Sequence, residues 1–246
     1  MPSPNNVLTA DSYIQDGLVF QLDGIDYGGI EGQWIDRQQR KVFNAVPISN
    51  LHNINKFVFD GAHSFKCTTD TSVPVNSSIE ICANIEKTDW MQLLVAPVGM
   101  NVYQNLQKYL VFGNTSSNRK GYLRKTNLIT TYLNLSKIIE NGIQSSVVTI
   151  GGTSQGWVGT TLTIGGYYNA YRLVGSIYAI RIYSRQLSDR EILINQKIDN
   201  ARFGLGLNIP DEVLPASRSL SLLEPFEFPD ESESEQELTN ETSDER

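Results

Sequence analysis

The stretch that decides the fold runs from Leu162 to Gly204. It reads Leu162-Thr163-Ile164-Gly165-Gly166, then Arg172-Leu173-Val174-Gly175-Ser176-Ile177-Tyr178-Ala179-Ile180-Arg181-Ile182-Tyr183-Ser184-Arg185, then Gln186-Leu187-Ser188-Asp189-Arg190-Glu191. Glycines close one apolar run before a second, longer one begins, the mark of successive strands. In the longer run Ile177, Ala179 and Ile182 are core candidates, and strict alternation breaks because Ile180 and Ile182 share a face with Tyr178. That pattern predicts a strand buried on both sides along part of its length, or bulged. Ser188-Asp189-Arg190-Glu191 is a capping box, in which the serine hydroxyl accepts from the N–H three residues on and the glutamate reaches back. Ile194, Ile198 and Ala201 then recur at helical spacing before Gly204. The sequence therefore predicts one short amphipathic helix of about three turns against the sheets.

Outward from this stretch the same grammar repeats. Gly17–Asp23, Lys56–Phe59, Ser64–Cys67, Ser78–Ile85, Met91–Val95, Tyr109–Phe112, Lys120–Arg124, Leu128–Leu133 and Ser145–Ile150 are short apolar runs, most of them separated by turn-rich clusters. Ser78–Ile85 alternates, with Ile79, Ile81, Ala83 and Ile85 toward a core and Ser78, Glu80, Cys82 and Asn84 outward. The class is all-β, an antiparallel two-sheet sandwich. Residues 1–12 read as an arm, 13–208 as the sandwich, and 209–246 as a disordered acidic tail.

Charge follows that division. Of a net −7 over 246 residues, residues 211–246 hold 12 Asp/Glu and 2 Lys/Arg, leaving 15 and 18 in residues 1–210. A body near neutrality with no long basic run argues against nucleic acid as a partner. No apolar run is long enough to insert in a membrane, and Met-Pro-Ser-Pro-Asn-Asn at the start lacks the features of a secretion signal. The chain is thus expected to be made in the cytoplasm, and the sequons at Asn76, Asn114, Asn134 and Asn240 carry no weight. Cys67 and Cys82, each inside an apparent strand, are expected as buried thiols, with a bridge between neighbouring strands as the alternative.

The residues resemble a known family. Leu162–Gly166 and Val174–Ile192, with the opening Asp16–Asp26, Trp34-Ile35-Asp36, Phe59-Asp60-Gly61 and the ending Asp199–Leu205, are similar to laminin G-like domains of the concanavalin A-like lectin/glucanase superfamily. The branch concerned is common in gut bacteria and in bacteriophage structural proteins. The resemblance implies a two-sheet jelly roll. Hydrolases of that superfamily carry Glu-X-Asp-X-Glu along one strand, and no such triplet occurs in residues 1–210. A glycoside hydrolase is therefore the least favoured reading. The resemblance also implies calcium at loop acids, for which Asp23, Asp26, Asp36 and Asp60 are the candidates.

Other patterns point less far. Gly152-Thr153-Ser154-Gln155-Gly156 has the spacing of a nucleophile elbow, but His52 and His63 both precede it, so a glycine-rich hairpin turn is expected. Those histidines lack cysteine neighbours at zinc spacing. A sugar needs an aromatic ring for its apolar face and polar groups for its edges. Trp157 with Gln155, the group Tyr167, Tyr168 and Asn169, and Trp90 with Asp89 meet that requirement in sequence. In the tail, Leu222, Leu223, Phe226 and Phe228 set bulky apolar groups among acids, a pattern that often folds onto a partner or onto its own domain, with a plain solubilising tail as the alternative. The expected function is a non-catalytic module of a virion or bacterial surface that contacts glycans. The alternative is an assembly or decoration protein docking its tail on a neighbouring protein; a homo-oligomer is compatible with either.

Overall fold

The computed structural model describes residues 7–67, 77–96, 101–105, 108–113, 119–149, 162–166 and 171–215. The described residues all belong to one compact unit. Its strands, in chain order, are Leu18–Asp23 (β1), Gln33–Ile35 (β2), Val42–Val46 (β3), His52–Asn53 (β4), Lys56–Asp60 (β5), Ser64–Cys67 (β6), Ser78–Ile85 (β7), Met91–Val95 (β8) and Asn101–Gln104 (β9). There follow Tyr109–Gly113 (β10), Lys120–Leu123 (β11), Leu128–Leu133 (β12), Ile138–Glu140 (β13), Ile143–Gln144 (β14), Val148–Thr149 (β15), Leu162–Ile164 (β16) and Val174–Tyr183 (β17), and last the helix Asp189–Phe203 (α1).

They build two antiparallel sheets. One runs β14-β13-β12-β7-β17-β5-β4, with β1 also paired to β17; the other runs β15-β11-β10-β9-β8-β16-β6-β3-β2. Between them lies a core that takes Leu22, Ile79, Ile81 and Ile180 from the first sheet and Phe43, Phe65, Leu94 and Phe112 from the second. The sandwich expected from the strand pattern is the one observed.

The ten-residue β17 organises the first sheet. One edge pairs with β7 over its whole length; the other pairs with β5 near Val174–Ile177 and with β1 near Ala179–Tyr183. Its register on β7 shifts between Ile177 and Ala179, and every residue after Val174 is buried, so the strand is both bulged and covered on two faces. Gly175 has no room for a side chain, because a Cβ there would lie 2.1 Å from the Asn84 carbonyl oxygen. The same cover corrects the reading of β7: Ser78, Glu80 and Cys82 do not face water but are buried on the side away from the sandwich core.

What covers them is α1, and here the structure overturns the periodicity. The capping box forms, with Glu191 N–H on the Ser188 hydroxyl, and Gly204 ends the helix in the left-handed region at φ 63°. The helix is longer than expected, at 15 residues, and of the Ile194, Ile198, Ala201 stripe only Ile198 lies on its buried side. Ile194 is 36% exposed and Ala201 is exposed, while Ile192, Asn195, Gln196, Asp199 and Phe203 face the sheet. A polar stripe can be buried when each group finds a partner. Gln196 Nε2 donates to the carbonyls of Thr130 (3.0 Å) and Ile139 (3.1 Å), and its Oε1 accepts from Gly142 N–H (2.7 Å). Asn195 Oδ1 accepts from Ile14 N–H at 3.0 Å. The helix thus docks through two amides and one carboxylate as well as through Ile192, Leu193, Ile198 and Phe203.

Two boundaries move as well. Ala10–Ser12, placed in the arm, forms a 3-10 turn with Ala10 buried. Leu214, placed in the tail, exchanges backbone hydrogen bonds with Gly142 and Gln144 and forms a parallel bridge to Ile143, with Val213 packed beside Leu18 and Tyr132. Cys67 in the inner core and Cys82 under α1 belong to different sheets and are not joined to each other. Among the described residues no helix is long and apolar enough to cross a membrane.

Candidate functional site

Of the aromatic candidates, Trp90 lies among the described residues. It immediately precedes β8, half-buried, with its ring stacked on Tyr103 of β9 at 5.5 Å and 9° between planes. Tyr171 meets it edge-on at 6.3 Å, and the Tyr171 carbonyl is fixed to the second sheet by the N–H of Gln92 at 2.9 Å. The turn before Trp90 is anchored from below. Gln104 Nε2 donates to the carbonyls of Lys87 (3.0 Å) and Asp89 (3.1 Å), and Gln104 Oε1 accepts from Arg124 Nε (3.1 Å) and Nη2 (2.9 Å). With both ends of its carboxamide engaged, Gln104 cannot rotate without breaking several bonds at once, so the turn is held in one position. Asp89 accepts from Trp90 N–H at 2.6 Å, and its carboxylate, 3.9 Å from Lys87 Nζ, is more than half exposed. Burial pushes the Tyr103 phenol above its ordinary range against the pull of Arg119. The result is a rigid aromatic platform preceded in the chain by an exposed carboxylate.

The four aspartates do not assemble into a cation site. Asp23 Oδ1 accepts from the N–H groups of Ile25 and Asp26, and its carboxylate pairs with Arg202, whose Nη2 also reaches Asp26 Oδ2 at 3.1 Å. The guanidinium thus stands between the two carboxylates where the family resemblance suggested calcium. Asp36 accepts from the N–H groups of Gln21, Gln38 and Gln39, and burial raises its pKa against those bonds. Asp60 holds Ala62 N–H and the His63 ring, and the bond to His63 keeps its carboxyl below the ordinary range. Each aspartate does the work of a turn or an ion pair. Among the described residues no group of three or more His, Cys, Asp or Glu could hold a metal ion. His52 is occupied too, stacked on Tyr27 at 3.8 Å with Nε2 2.8 Å from the Gly24 carbonyl.

Trp157, Gln155, Tyr167, Tyr168 and Asn169 lie outside the described residues, as do the Gly152–Gly156 pattern and Leu222, Leu223, Phe226 and Phe228. Tyr171, next to the tyrosine group, is described and does join Trp90. Tyr103 was not singled out by sequence; only its place opposite Gln92 in the β8–β9 pairing reveals it.

A second cluster, absent from the sequence reading, sits under α1. Glu80, Arg181 and Asp199 are buried together, with Arg181 Nε 2.9 Å from Glu80 Oε2 and Nη2 2.6 Å from Asp199 Oδ2. Burial pushes the Glu80 carboxyl up to about 7 despite Arg181. Closed off by helix and sheet, it offers a substrate no access.

No family model matches the sequence. No curated protein matches it either. Solved structures do. Domain 4 of AbnA, a GH43 extracellular arabinanase from Geobacillus stearothermophilus, in complex with arabinotriose, superposes with a TM-score of 0.53 at 12% identity, over 73% of this chain and 97% of that one. The binding domain of botulinum neurotoxin DC, in complex with rat synaptotagmin II, gives 0.50 at 13% identity over 75% of this chain and 52% of that one. At such identities the likeness is one of fold: the chain shares its two-sheet sandwich with these binding domains.

Proposed function

We propose that this chain is a non-catalytic, laminin G-like binding module that contacts glycans around Trp90, in the setting of a bacteriophage virion or a bacterial surface. The observation that carries the reading is the Trp90 platform. A partly exposed indole backed by Tyr103 offers dispersion contact to the apolar face of a pyranose, and the exposed carboxylate of the preceding Asp89 accepts hydrogen bonds from hydroxyls. Its support is preorganisation, since Gln104 and Arg124 fix the turn before any ligand arrives. A sandwich of the same fold in the arabinanase holds arabinotriose, which supports sugar binding as a use of this scaffold. Absence of catalysis is favoured by the state of the carboxylates: Asp199 and Asp23 are locked in buried ion pairs, and Glu80 is closed off beneath α1. The virion or surface setting rests on the family resemblance of residues 162–205.

A glycan array probed with and without calcium tests the reading. Binding to at least one glycan class is expected, with no calcium requirement traceable to Asp23, Asp26, Asp36 or Asp60; an array with no signal under either condition contradicts it. The charge division of the chain favours one rival, an assembly role for the acidic C-terminal residues. Because Val213 and Leu214 pack on the sandwich, the deletion that separates the two readings removes residues 217–246 and no more. Loss of incorporation or partner binding with glycan binding intact would favour assembly.

A further inference from the structure

The cluster under α1 holds one cation and two carboxylates. Arg181 clasps Asp199 with two nitrogens, Nη1 to Oδ1 at 2.8 Å and Nη2 to Oδ2 at 2.6 Å, and Asp199 also accepts from the Tyr13 hydroxyl (2.8 Å) and the Thr130 hydroxyl (2.7 Å). That pair matches charge for charge. Glu80 is the surplus: its Oε2 accepts from Arg181 Nε (2.9 Å) and Asn195 Nδ2 (2.9 Å), while its buried Oε1 has no hydrogen-bond partner. The side chains of Arg181, Asp199 and Glu80 are 0%, 0% and 2% exposed. An unmatched negative charge in such a place is costly, and taking up a proton on the carboxyl with the empty oxygen removes it.

Among the described residues no second cation pairs with Glu80: Arg202 of α1 reaches the network only at the Tyr13 hydroxyl (3.3 Å) and is itself paired with Asp23. Around Glu80, from β17 come Arg181 and Tyr183, from α1 Asn195 and Asp199, from β12 Tyr132 and Thr130, from the N-terminal segment Tyr13, and from β7 itself Ser78 and Cys82. The Tyr183 hydroxyl accepts from Asn195 Nδ2 at 2.9 Å and itself bonds the Ile14 carbonyl at 3.1 Å, so the N-terminal segment joins the same network. Tyr13 also lies with its ring 4.0 Å from the Arg181 guanidinium. The cluster is therefore the joint at which α1 and the Tyr13–Ile14 segment meet the sheet.

We propose that this cluster is a proton-operated latch: Glu80, the carboxyl with the unpartnered oxygen, takes up one proton, and that proton sets how firmly α1 and the Tyr13–Ile14 segment are held on the sheet. The direction follows from linkage. A carboxyl raised from 4.5 to about 7 on folding contributes stability that is fully present below pH 4.5 and is lost as pH rises through 7. Acidification within that window tightens the latch.

The test is hydrogen exchange of the full chain at pH 5.5 and 8.5, corrected for intrinsic rates, in the wild type and in Glu80→Gln. In the wild type the opening constant of α1 should rise roughly thirtyfold between the two pH values, a change larger than that of β10 in the other sheet. In Glu80→Gln the change should collapse to the level of β10. His52 and His63 are the same in both proteins, so the difference between them reports Glu80. If Glu80→Gln does not fold, infrared difference spectra of the wild type decide, with a protonated-carboxyl band expected to grow as pH falls through 7. Protection of α1 that is equal at both pH values, an undiminished pH dependence in Glu80→Gln, or no such band by pH 5.5 would each overturn the proposal.

Discussion

Replacing Arg181 with alanine is expected to cost about 3–5 kcal/mol of folding stability, since removing one partner leaves buried charges without compensation. Both Glu80 and Asp199 would be stranded, each buried and each having lost the cation that offsets its desolvation. The Tyr13 ring would lose the guanidinium beneath it as well. Domains of this kind are stable by about 5–15 kcal/mol, so the variant should sit close to unfolding at ambient temperature. Urea denaturation at pH 7 measures it. The companion triple variant, Glu80→Leu with Arg181→Met and Asp199→Leu, should recover part of the loss, because it removes the stranded charges but takes the acceptors of the Tyr13 and Thr130 hydroxyls away. A single-variant loss under about 1 kcal/mol would mean that water reaches the cluster.

Trp34→Ala should cost a similar amount, about 3–5 kcal/mol, for a different reason. Trp34 is 0% exposed, stacked on Phe57 at 4.2 Å with Phe65 edge-on at 5.8 Å, and its Nε1 donates to the Asp23 carbonyl at 3.0 Å. Alanine opens a cavity beneath two phenylalanines and leaves a buried carbonyl without its donor. In thermal unfolding the midpoint should fall on the order of 10 °C. The loss should be insensitive to pH between 5.5 and 8.5, whereas that of Arg181→Ala should not be.

Sequence was most informative where the chemistry is local. The Ser188 and Glu191 capping box and the doubly buried β17 announce themselves through contacts within a few residues, and both formed as read. It misled where polar groups are buried. Asn195, Gln196 and Asp199 look like a solvent face, so the helix was rotated toward Ile194 and Ala201. Glu80 looked outward-facing for the same reason. One sign was available: Arg181 lies between Ile180 and Ile182 in a strand expected to be buried on both sides, and a charge there demands a buried partner. Short strands such as Asn101–Gln104 and Ile138–Glu140 escaped because so few residues show no period, and with Asn101–Gln104 went Tyr103, the ring behind Trp90. The calcium expectation failed at Asp23 and Asp26 because Arg202, far along the chain, supplies their cation.

The central claim is that Trp90 is the contact surface of a binding module, and one paired measurement addresses it most directly. Wild type and Trp90→Ala are run on the same glycan array at matched concentration, with thermal midpoints recorded for both. Binding by the wild type to at least one glycan class is predicted, falling tenfold or more in Trp90→Ala at a temperature where both midpoints show the proteins folded. Equal signals from the two proteins, or none from the wild type, would contradict it.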